Sequence, residues 1–546
     1  MAADSDTDHA QDSAEGTPQE IEQGGFYVQD LDFRSGVNGQ QSPLWMALTA
    51  AVGGFVPPAV DGAFTYCDLG CGDGTTVNAL AELYPRATFY GIDFNAGHIA
   101  IARETAAECG LDNARFVQAP FGELADHDLP AFDFVGMNGI YAWLEDAEVR
   151  AARAFLTAHL RPGGLFYVEY TSLPGKESVQ PLWSLIQWLV PPTEGEDSRE
   201  RARRGLDLTE ALAKRGMAYL NAHRPAANGA QSYVRGRKQD AYRVDHFAHN
   251  AMASGFRPRY FTEMADEMAE AGLTYAGRTE LARNEIELCV PPAQVPTFQD
   301  FKDDVRAVEL LKDYIRNEQQ RHDVFVMAGA PDRAAADAWL DRNLALAART
   351  PPSGVRRAIP IMGNQSVPLR GPAYEAVIDA AEGGCATPEG AAQASGVPVA
   401  RVRRAAVRLL ASNQFIPCRQ EVRASVPDPR EIGGLAVVGA VNRRTLSLAV
   451  ERLTQNQLTS PVAGGPAIPV SAIEAVILRA VTETGAFEAG LARAQDALAD
   501  QTARLPVPSG RKPAKEISQD ELREVLDAMR GRKIHNMLRW RIAEER

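Results

Sequence analysis

The chain has 546 residues, and at roughly 100–200 residues per domain this length predicts about three domains. Hydrophobic residues make up 45% and charged residues 23%, which is typical of globular proteins and excludes a mostly disordered chain. The net charge of −14 argues against a general attraction to nucleic acid, and no apolar run approaches the ~20 residues that a membrane-spanning helix needs.

Residues 1–25 contain acids but neither lysine nor arginine, and they lack an apolar core. This composition is typical neither of a secretory signal nor of a transit peptide, so we expect a disordered acidic tail and a cytoplasmic protein. The six cysteines are scattered along the chain, which argues against a disulfide scaffold. Cys67 and Cys71 have no second pair or histidine cluster nearby, so no metal site is expected.

Residues 26–195 alternate short apolar runs with helical stretches. The predicted strands are 64–69, 88–93, 114–118, 132–137 and 165–170, and the predicted helices are 75–83, 99–109 and 147–159. Strands that alternate with helices in this way indicate a mostly parallel sheet covered on both faces. The sequence therefore predicts an α/β domain with a doubly wound, Rossmann-like sheet.

The pattern changes after residue 195. We expect a helical middle domain over 196–345, with helical stretches at 199–223, 242–277 and 305–316. Residues 346–371 are rich in Pro, Gly and Arg and are interpreted as a linker. A C-terminal domain over 372–546 begins with helices at 373–381, 387–395 and 398–412 and a strand at 414–417, which is the outline of a winged helix, and continues as Ala-rich helices.

The segment Asp68-Leu-Gly-Cys-Gly-Asp-Gly74 carries the clearest chemistry. An acid ends the first strand, three alternate glycines follow, and a helix begins at Thr75. Glycines allow the backbone to approach a ligand, and the helix N-terminus offers N–H groups. The spacing does not fit G-x-G-x-x-G, and a terminal acid suits an ammonium group better than a pyrophosphate. S-adenosylmethionine carries an ammonium group in its amino-acid part, which could lie near Asp68 and the glycines. It is therefore the ligand predicted for this loop.

Asp93 ends the next strand, where an acid can accept hydrogen bonds from ribose hydroxyls. The third strand ends at Gln118-Ala-Pro120, without the acid that often reads adenine, so we expect adenine to meet the backbone at Phe121 and Gly122, with Phe121 either stacking on it or serving as ordinary core. The full predicted cofactor set is Asp68, Gly70, Cys71, Gly72, Gly74, Asp93, Phe94, Phe121, Gly122 and Asn138.

The loop after the fourth strand, from Asn138 to Trp143, is expected to face the methyl group, because ligands of such sheets lie beyond the carboxyl ends of the strands. Tyr141 and Trp143 would hold a cationic or amine substrate, or would simply cover the sheet edge. Glu169 ends the fifth strand and would orient or deprotonate an amine, or lie beside a helix cap. The predicted catalytic residues are Asn138, Tyr141, Trp143 and Glu169.

Six segments together resemble the bacterial methyltransferases that carry a methyltransferase regulatory domain, which include the rickettsial protein-lysine methyltransferases of outer membrane proteins. The matching segments are 67–74, 91–93, 138–144, 167–175, 246–250 with 259–261 and 272–273, and 321–326. The resemblance departs in three places: Gln41-Ser-Pro43 stands for Thr-His-Pro, Asn138 for a histidine, and His249-Asn-Ala251 for His-Glu-Tyr.

This resemblance implies a class I methyltransferase that uses S-adenosyl-L-methionine and releases S-adenosyl-L-homocysteine. It implies methylation of lysine side chains on a bacterial outer membrane or surface protein before export. It also implies a middle domain for substrate contact or dimerisation, and hence a homodimer, with a winged-helix-like domain at the C-terminus. Nucleic acid is not an expected partner, because the net charge is −14 and the loop after the fourth strand lacks the Asn-Pro-Pro-Tyr type motif of enzymes that methylate nucleobase amino groups.

Two other functions remain open from the sequence. One is a small-molecule N- or O-methyltransferase. The other is a protein that senses S-adenosylmethionine and acts through its winged helix, a hypothesis based on Arg401, Arg403, Arg404 and Arg408, which are equally compatible with a solvated basic face. His246 and His249 lie three apart, as two metal ligands could, but a packed or capping role is the preferred interpretation.

Overall fold

The computed structural model describes residue 31 and residues 36–236, 241–253, 255–382, 384–423 and 425–546. The acidic tail predicted for residues 1–25 lies outside these residues. The first part of the fold consists of α1 (Pro43–Gly53), β1 (Thr65–Leu69), α2 (Thr75–Leu83), β2 (Thr88–Asp93), α3 (Ala96–Cys109), β3 (Ala114–Gln118), β4 (Phe132–Met137), α4 (Asp146–His159) and β5 (Leu160–Thr171). The predicted strands and helices of this region are confirmed to within a few residues, except that β5 begins earlier.

The helices that follow form the middle of the chain. They are α5 (Val179–Leu189), α6 (Ser198–Lys214), α7 (Ala218–Ala222), α8 (Arg224–Gly236), α9 (Ala241–Phe247), a π-helical turn (Ala248–Met252) and α10 (Phe261–Glu270), after which come β6 (Leu273–Arg278), α11 (Ile286–Cys289), α12 (Val305–Arg316), β7 (Gln320–Met327) and α13 (Arg333–Asn343). The prediction of continuous helix through residue 277 is wrong, because residues 273–278 form a strand.

One seven-stranded sheet organises the first two thirds of the chain. Its strand order is β3-β2-β1-β4-β5-β7-β6, and β7 runs opposite to the other six strands of this sheet. The sheet is therefore doubly wound and mostly parallel, as predicted. Two of its strands, β6 and β7, come from beyond residue 195, so the sheet crosses the boundary that the sequence suggested between the first and middle domains.

Side chains alternate between the two covered faces of this sheet. Tyr66, Phe134 and Tyr167 point into a layer that includes α1 and α2, while Val135 and Phe166 point into a layer that includes α4 and α10. All five side chains are buried. Apolar runs without polar alternation are typical of strands that are covered on both sides. These strands could therefore be predicted from the sequence.

Two small units follow the sheet. The first consists of β8 (Ala345–Ala348), β9 (Ala358–Ile361), β10 (Gln365–Pro368), α14 (Pro372–Glu382), α15 (Pro388–Ser395), α16 (Val399–Ala411) and β11 (Phe415–Cys418). The three predicted helices and the strand after them are present, and β11 pairs with β8. The predicted linker over 346–371 thus contains β8 and the β9–β10 hairpin. The winged-helix assignment remains a prediction.

The second unit repeats the arrangement of a first strand paired with a last strand. It consists of β12 (Leu435–Val437), α17 (Ala440–Arg452), β13 (Asn456–Ser460), β14 (Gly465–Val470), α18 (Ala472–Thr484), α19 (Phe487–Leu498), β15 (Arg504–Val507), β16 (Gly510–Pro513), α20 (Gln519–Gly531), α21 (Lys533–Arg539) and β17 (Ala543–Glu545). Strand β17 pairs antiparallel with β12. The last hundred residues are therefore helical in large part, as expected, but also contain two hairpins and a closing strand.

The second unit is attached to the end of α2. Glu82 accepts hydrogen bonds from the backbone N–H groups of Ala440 and Val441, at the positive end of α17. The Tyr84 hydroxyl donates to the Gly464 carbonyl at 2.9 Å, and the Arg419 guanidinium lies 4.4 Å from the Tyr84 ring centroid. These contacts join the C-terminal units to the sheet domain.

No helix among the residues described here is long and apolar enough to cross a membrane.

The interior also contains a charged cluster near one edge of the sheet. The fully buried Arg321 on β7 donates to Asp313 at 2.7 and 2.8 Å, to Asp323 at 2.9 Å and to Glu309 at 2.9 Å. The guanidinium thus contacts three buried carboxylates at once, and Lys312 and Arg278 supply further positive charge to the same cluster.

We predict that Arg321→Met lowers the free energy of unfolding by about 3–5 kcal/mol, because it leaves buried carboxylates without their cation. The matched control is Arg306→Met, since Arg306 pairs with Asp266 at the surface and should contribute about 1 kcal/mol or less. Thermal unfolding followed by circular dichroism measures both variants. Equal melting temperatures for the two variants would contradict the prediction.

Candidate functional site

The predicted cofactor loop lies at the switch point of the sheet. Strand β1 is flanked by β2 and β4, and the chain leaves β1 toward one side and β4 toward the other, which opens a crevice at their carboxyl ends. Gly70, Gly72 and Gly74 follow β1 with φ of +75°, +55° and +69°. A side chain at Gly74 would meet Ala102 at 2.6 Å, so α2 can begin here only with glycine.

Asp68 is the buried acid of this loop. It is 3% exposed, and one carboxylate oxygen accepts a hydrogen bond from Gln41 Nε2 at 3.2 Å. The other oxygen, Oδ1, is buried and has no hydrogen-bond donor among the residues that the structure describes. Burial raises the pKa of Asp68 to about 8, against the opposing effect of Gln41. A carboxylate in this setting fits an ammonium group, which would supply the missing donor.

Asp93 lies next to the same loop, at the end of β2. Its Oδ2 accepts from the Gly72 N–H at 2.9 Å, and its Oδ1 accepts from the Asn95 N–H at 2.9 Å. Each carboxylate oxygen retains a second lone pair, so vicinal hydroxyl groups of a ribose could donate to it as well. The structure thus brings together the predicted residues Asp68, Asp93 and the glycines, with Cys71 buried beneath them.

The predicted adenine side lies beyond the ends of β2 and β3. Phe94, directly after Asp93, is 41% exposed, which is unusual for a phenylalanine. Phe121 begins a 3₁₀ turn over Phe121–Asp126 and is half-buried against the apolar layer that contains Leu124. A side chain at Gly122 would meet no atom within 4 Å. The two aromatic rings and the open glycine leave room for a planar base, and their role in binding it stays a prediction.

Asn138 belongs to a polar group at the carboxyl ends of β4 and β5. Its Oδ1 accepts hydrogen bonds from Asn38 Nδ2 and from the Tyr167 hydroxyl, the latter at 3.0 Å. Glu169, two residues after Tyr167 on the same face of β5, is 6% exposed. It accepts a hydrogen bond from Gln320 Nε2, and a side chain at Gly139 would meet its Oε2 at 3.2 Å. Asn138 and Glu169 therefore meet at the crevice, as expected.

Tyr141 and Trp143 have other neighbours. Tyr141 is 1% exposed and packs in the opposite layer of the sheet, and its hydroxyl donates to Glu267. Trp143 is half-buried, with its ring 5.5 Å from that of Phe256. Both side chains join the crevice loop to the middle helices in this structure. Their predicted contact with substrate is not tested by these contacts, which instead give each residue a packing role.

Three of the four arginines of α16 form ion pairs with carboxylates of the same chain. Arg408 donates to Glu285 at 2.6 Å and to Glu287 at 2.7 Å, while Arg404 lies 3.2 Å from Glu287. Arg403 donates to Asp341 at 2.8 Å. Of the four arginines, only Arg401 is exposed without an ion pair among the described residues. Arg403 and Arg408 are therefore occupied by ion pairs within the chain, whereas Arg401 and Arg404 remain exposed to solvent.

His246 and His249 do not share a ligand set. The Tyr233 hydroxyl lies 2.9 Å from His246 Nδ1, whereas His249 is buried, and burial lowers its pKa to about 4. Among the described residues, no three His, Cys, Asp or Glu side chains are placed to hold a metal ion. His249 is thus a packed histidine of the middle helices.

Sequence reasoning missed several polar residues of the crevice: Asn38, Gln41, Glu280, Gln320 and His322. His322 Nδ1 lies 2.6 Å from Glu280 Oε1, and His322 pairs directly with Glu169 across β5 and β7. The apolar run Val324-Phe-Val-Met327, which follows four polar residues, is a local signal for the second half of β7. Its position beside β5 depends on a pairing between distant segments, for which the sequence gives no local signal.

Two family models match the chain. The model described as a methyltransferase domain matches residues 67–166, and the model described as a predicted methyltransferase regulatory domain matches residues 244–327.

The chain combines a methyltransferase domain with a methyltransferase regulatory domain.

The resemblance inferred from the sequence is confirmed at the level of these two domains. The strands β6 and β7 lie within the regulatory domain, which therefore completes the sheet of the methyltransferase domain.

Curated relatives share the same region. An uncharacterised Synechocystis protein, sll1526, is 31% identical over 300 residues, which cover 55% of this chain and 58% of that protein. The Rickettsia prowazekii protein RP789 is 23% identical over 51% of this chain and 49% of its own length. A trans-aconitate 2-methyltransferase from Deinococcus radiodurans is 38% identical, but over 19% of this chain and 36% of its own. The chain spans about half to three fifths of the first two relatives.

The fold extends further than the sequence likeness. The structure of PKMT2 from Rickettsia typhi in complex with AdoHcy superimposes with a TM-score of 0.62, at 14% identity, over 93% of this chain and 98% of that one. The fold is that of the class I, S-adenosylmethionine-dependent methyltransferases. The buried unpartnered oxygen of Asp68 and the glycine loop of the methyltransferase domain fit the amino-acid part of this cofactor.

We predict that S-adenosylhomocysteine binds more tightly as the pH rises from 6.5 to 8.5. Below its pKa of about 8, Asp68 holds a proton that it must lose before it can pair with the ligand's ammonium group. The dissociation constant should fall by about tenfold or more over this range. Isothermal titration calorimetry at several pH values measures the effect.

The variant Asp68→Asn should bind the ligand more weakly and lose this pH dependence. The control Asp112→Asn, which changes an exposed aspartate, should keep it. Any ionisation of the ligand itself is the same for all three proteins, so an equal pH dependence in wild type and Asp68→Asn would rule out the assigned role of Asp68.

Proposed function

We propose that this S-adenosylmethionine-dependent methyltransferase transfers methyl groups to lysine side chains of a bacterial protein. The observation that carries the proposal is the pair of buried carboxylates, Asp68 and Glu169, on the two sides of one crevice. Asp68 suits the ammonium group of the cofactor. Glu169 suits a second cation, which is the ordinary charge state of a lysine side chain.

Methyl transfer makes modest demands on the protein. The bound cofactor supplies a methyl group on a positively charged sulfur, and the acceptor has to bring a lone pair in line with it. The chain's own part is therefore to hold an amine about 3 Å from the methyl carbon and to remove its proton. Gly139 lets the crevice loop lie against Glu169, because its φ of +74° favours glycine and a side chain there would meet Glu169 Oε2 at 3.2 Å.

A macromolecular acceptor is supported by the architecture around the crevice. A small molecule needs an enclosing lid, whereas this chain adds a group of middle helices and two further C-terminal units. The whole-chain likeness to Rickettsia typhi PKMT2 and the resemblance to the rickettsial protein-lysine methyltransferases favour the same class of substrate. The proposed acceptor is an outer membrane or surface protein, modified before export in the cytoplasm. The proposal includes a homodimer, because the same family resemblance implies one.

A small-molecule acceptor is the second candidate, favoured by the similarity of one fifth of the chain to trans-aconitate 2-methyltransferases. The charge of the crevice argues against an acid such as trans-aconitate. Glu169 and the nearby Glu280 would repel an acceptor that carries carboxylates in a partly buried site. A small amine would not meet this obstacle and is a defined alternative in the experiment below.

A sensor that acts through α16 has less support. Arg403, Arg404 and Arg408 pair with carboxylates of the same chain, so DNA binding would have to break these ion pairs. The net charge of −14 adds a general repulsion from nucleic acid.

We predict that the purified full-length protein transfers label from methyl-labelled S-adenosylmethionine to protein in an extract of the source cell. Acid hydrolysis of the labelled band should yield methyl-lysine, and Asp68→Asn should abolish the transfer because the cofactor is no longer held. The control Asp112→Asn should label the same band as wild type. Label found only in the small-molecule fraction would replace the lysine proposal by the second candidate.

A further inference from the structure

The regulatory domain places three titratable side chains in a row beside the crevice. Glu169 on β5 and His322 on β7 are directly opposed in the antiparallel pairing, so their side chains project from the same face of the sheet. His322 Nδ1 in turn lies 2.6 Å from Glu280 Oε1, just after β6. The row crosses three strands that come from two different domains.

Exposure increases along this row. Glu169 is 6% exposed, whereas the side chains of His322 and Glu280 are 18% and 29% exposed. Gln320, which donates to Glu169, is at the surface. Titratable groups therefore continue from the bottom of the crevice toward solvent, and among the described residues Glu169 and His322 face each other without a direct hydrogen bond.

The charges around the row favour proton uptake. Burial raises the pKa of Glu169, although the nearby His322 opposes this effect. Burial alone would lower the pKa of His322, but its hydrogen bond to Glu280 and the charge of Glu280 outweigh burial and raise it. The other polar groups that face His322 are Tyr167, whose ring is 6.5 Å away, and Arg278, which lies 3.5 Å from Glu280.

We propose that Glu169, His322 and Glu280 form a proton-transfer chain that selects a cationic amine as methyl acceptor and deprotonates it. This inference deepens the proposed function and rests on it. Glu169 is the catalytic residue, because it would contact the ammonium group. His322 and Glu280 are positioning residues that receive and hold the proton behind it.

Removal of a proton from the acceptor precedes the transfer of the methyl group. The ammonium group gives one proton to the Glu169 carboxylate and becomes a neutral amine with a lone pair. The amine nitrogen bonds to the methyl carbon, and the carbon–sulfur bond breaks with both electrons left on sulfur. Glu169 passes its proton through a water molecule to Nε2 of His322, the ring nitrogen that does not face Glu280, and the imidazolium is held by Glu280 through Nδ1. The products are a methylated ammonium group and S-adenosylhomocysteine.

The kinetic test uses the full-length protein, labelled S-adenosylmethionine and poly-L-lysine as the acceptor, between pH 5.5 and 9.5. Glu169→Gln should lower kcat by about 100-fold or more, while the affinity for S-adenosylhomocysteine stays unchanged. The matched control Glu270→Gln removes a surface carboxylate that pairs with Arg153 and should leave both quantities as in wild type.

The pH profile separates proton transfer from a structural role. Activity should fall at low pH as His322 becomes protonated and can no longer accept a proton. Glu280→Gln removes the anion that favours the imidazolium, so this acidic limb should move to lower pH while the maximum rate falls. A limb that stays in place in Glu280→Gln, or an unchanged kcat in Glu169→Gln, would overturn the proposal.

A measurement without turnover distinguishes this proposal from the lysine proposal. Histidine labelled with ¹³C, assigned with the variant His322→Asn, reports the pKa of His322 by NMR in the complex with S-adenosylhomocysteine. Glu280→Gln should lower this pKa, and n-butylammonium should lower it in wild type whereas n-butanol should not. Absence of methyl-lysine with these shifts present would refute the lysine proposal alone, and absence of the shifts would refute the proton-transfer chain.

Discussion

The antiparallel pairing of β7 with β5 is the constraint on which the rest of the structure depends. It inserts a strand of the regulatory domain between β5 and β6, so the two matched domains share one sheet. The same pairing sets Glu169 opposite His322 and Tyr170 opposite Arg321. One face of the pair therefore serves the crevice, and the other carries the buried charges that hold the edge of the sheet together. A register shift of one residue would exchange these two faces.

Local sequence patterns predicted the first half of the fold because each strand there is an apolar run bounded by turns. Asp68, Asp93 and the glycines could be placed at one site for the same reason, since consecutive parallel strands end at the same edge. Strand β6 could not be predicted, because Leu273-Thr-Tyr-Ala-Gly-Arg278 is short and its partner lies far along the chain. The contacts of Tyr141 with Glu267 and of Glu169 with Gln320 also join segments that are more than a hundred residues apart. They could not be predicted for the same reason.

The buried charges around Arg321 and the buried carboxyl groups of the crevice differ in how they are compensated. Around Arg321 each carboxylate has a cationic partner, and the cluster is closed to solvent. At the crevice Asp68 has an oxygen without a donor within the described structure, and Glu169 is held by neutral donors. Unbalanced buried charge is costly for a fold. At the crevice this cost raises the pKa values of Asp68 and Glu169, and a cationic ligand that pairs with the ionised carboxylates would lower them again.

The attachment of the C-terminal units to α2 has a consequence for how the protein can be divided. Helix α2 begins at Thr75, directly after Gly74 of the cofactor loop, and ends at Leu83, next to Tyr84, so the same short helix touches both the ligand crevice and the last unit. Cutting the chain after the regulatory domain would expose Tyr84 and leave Glu82 without the N–H groups of α17. The methyltransferase domain is thus built as part of a larger body, and its isolated form would expose the ring of Tyr84 at the end of the helix that begins beside the cofactor loop.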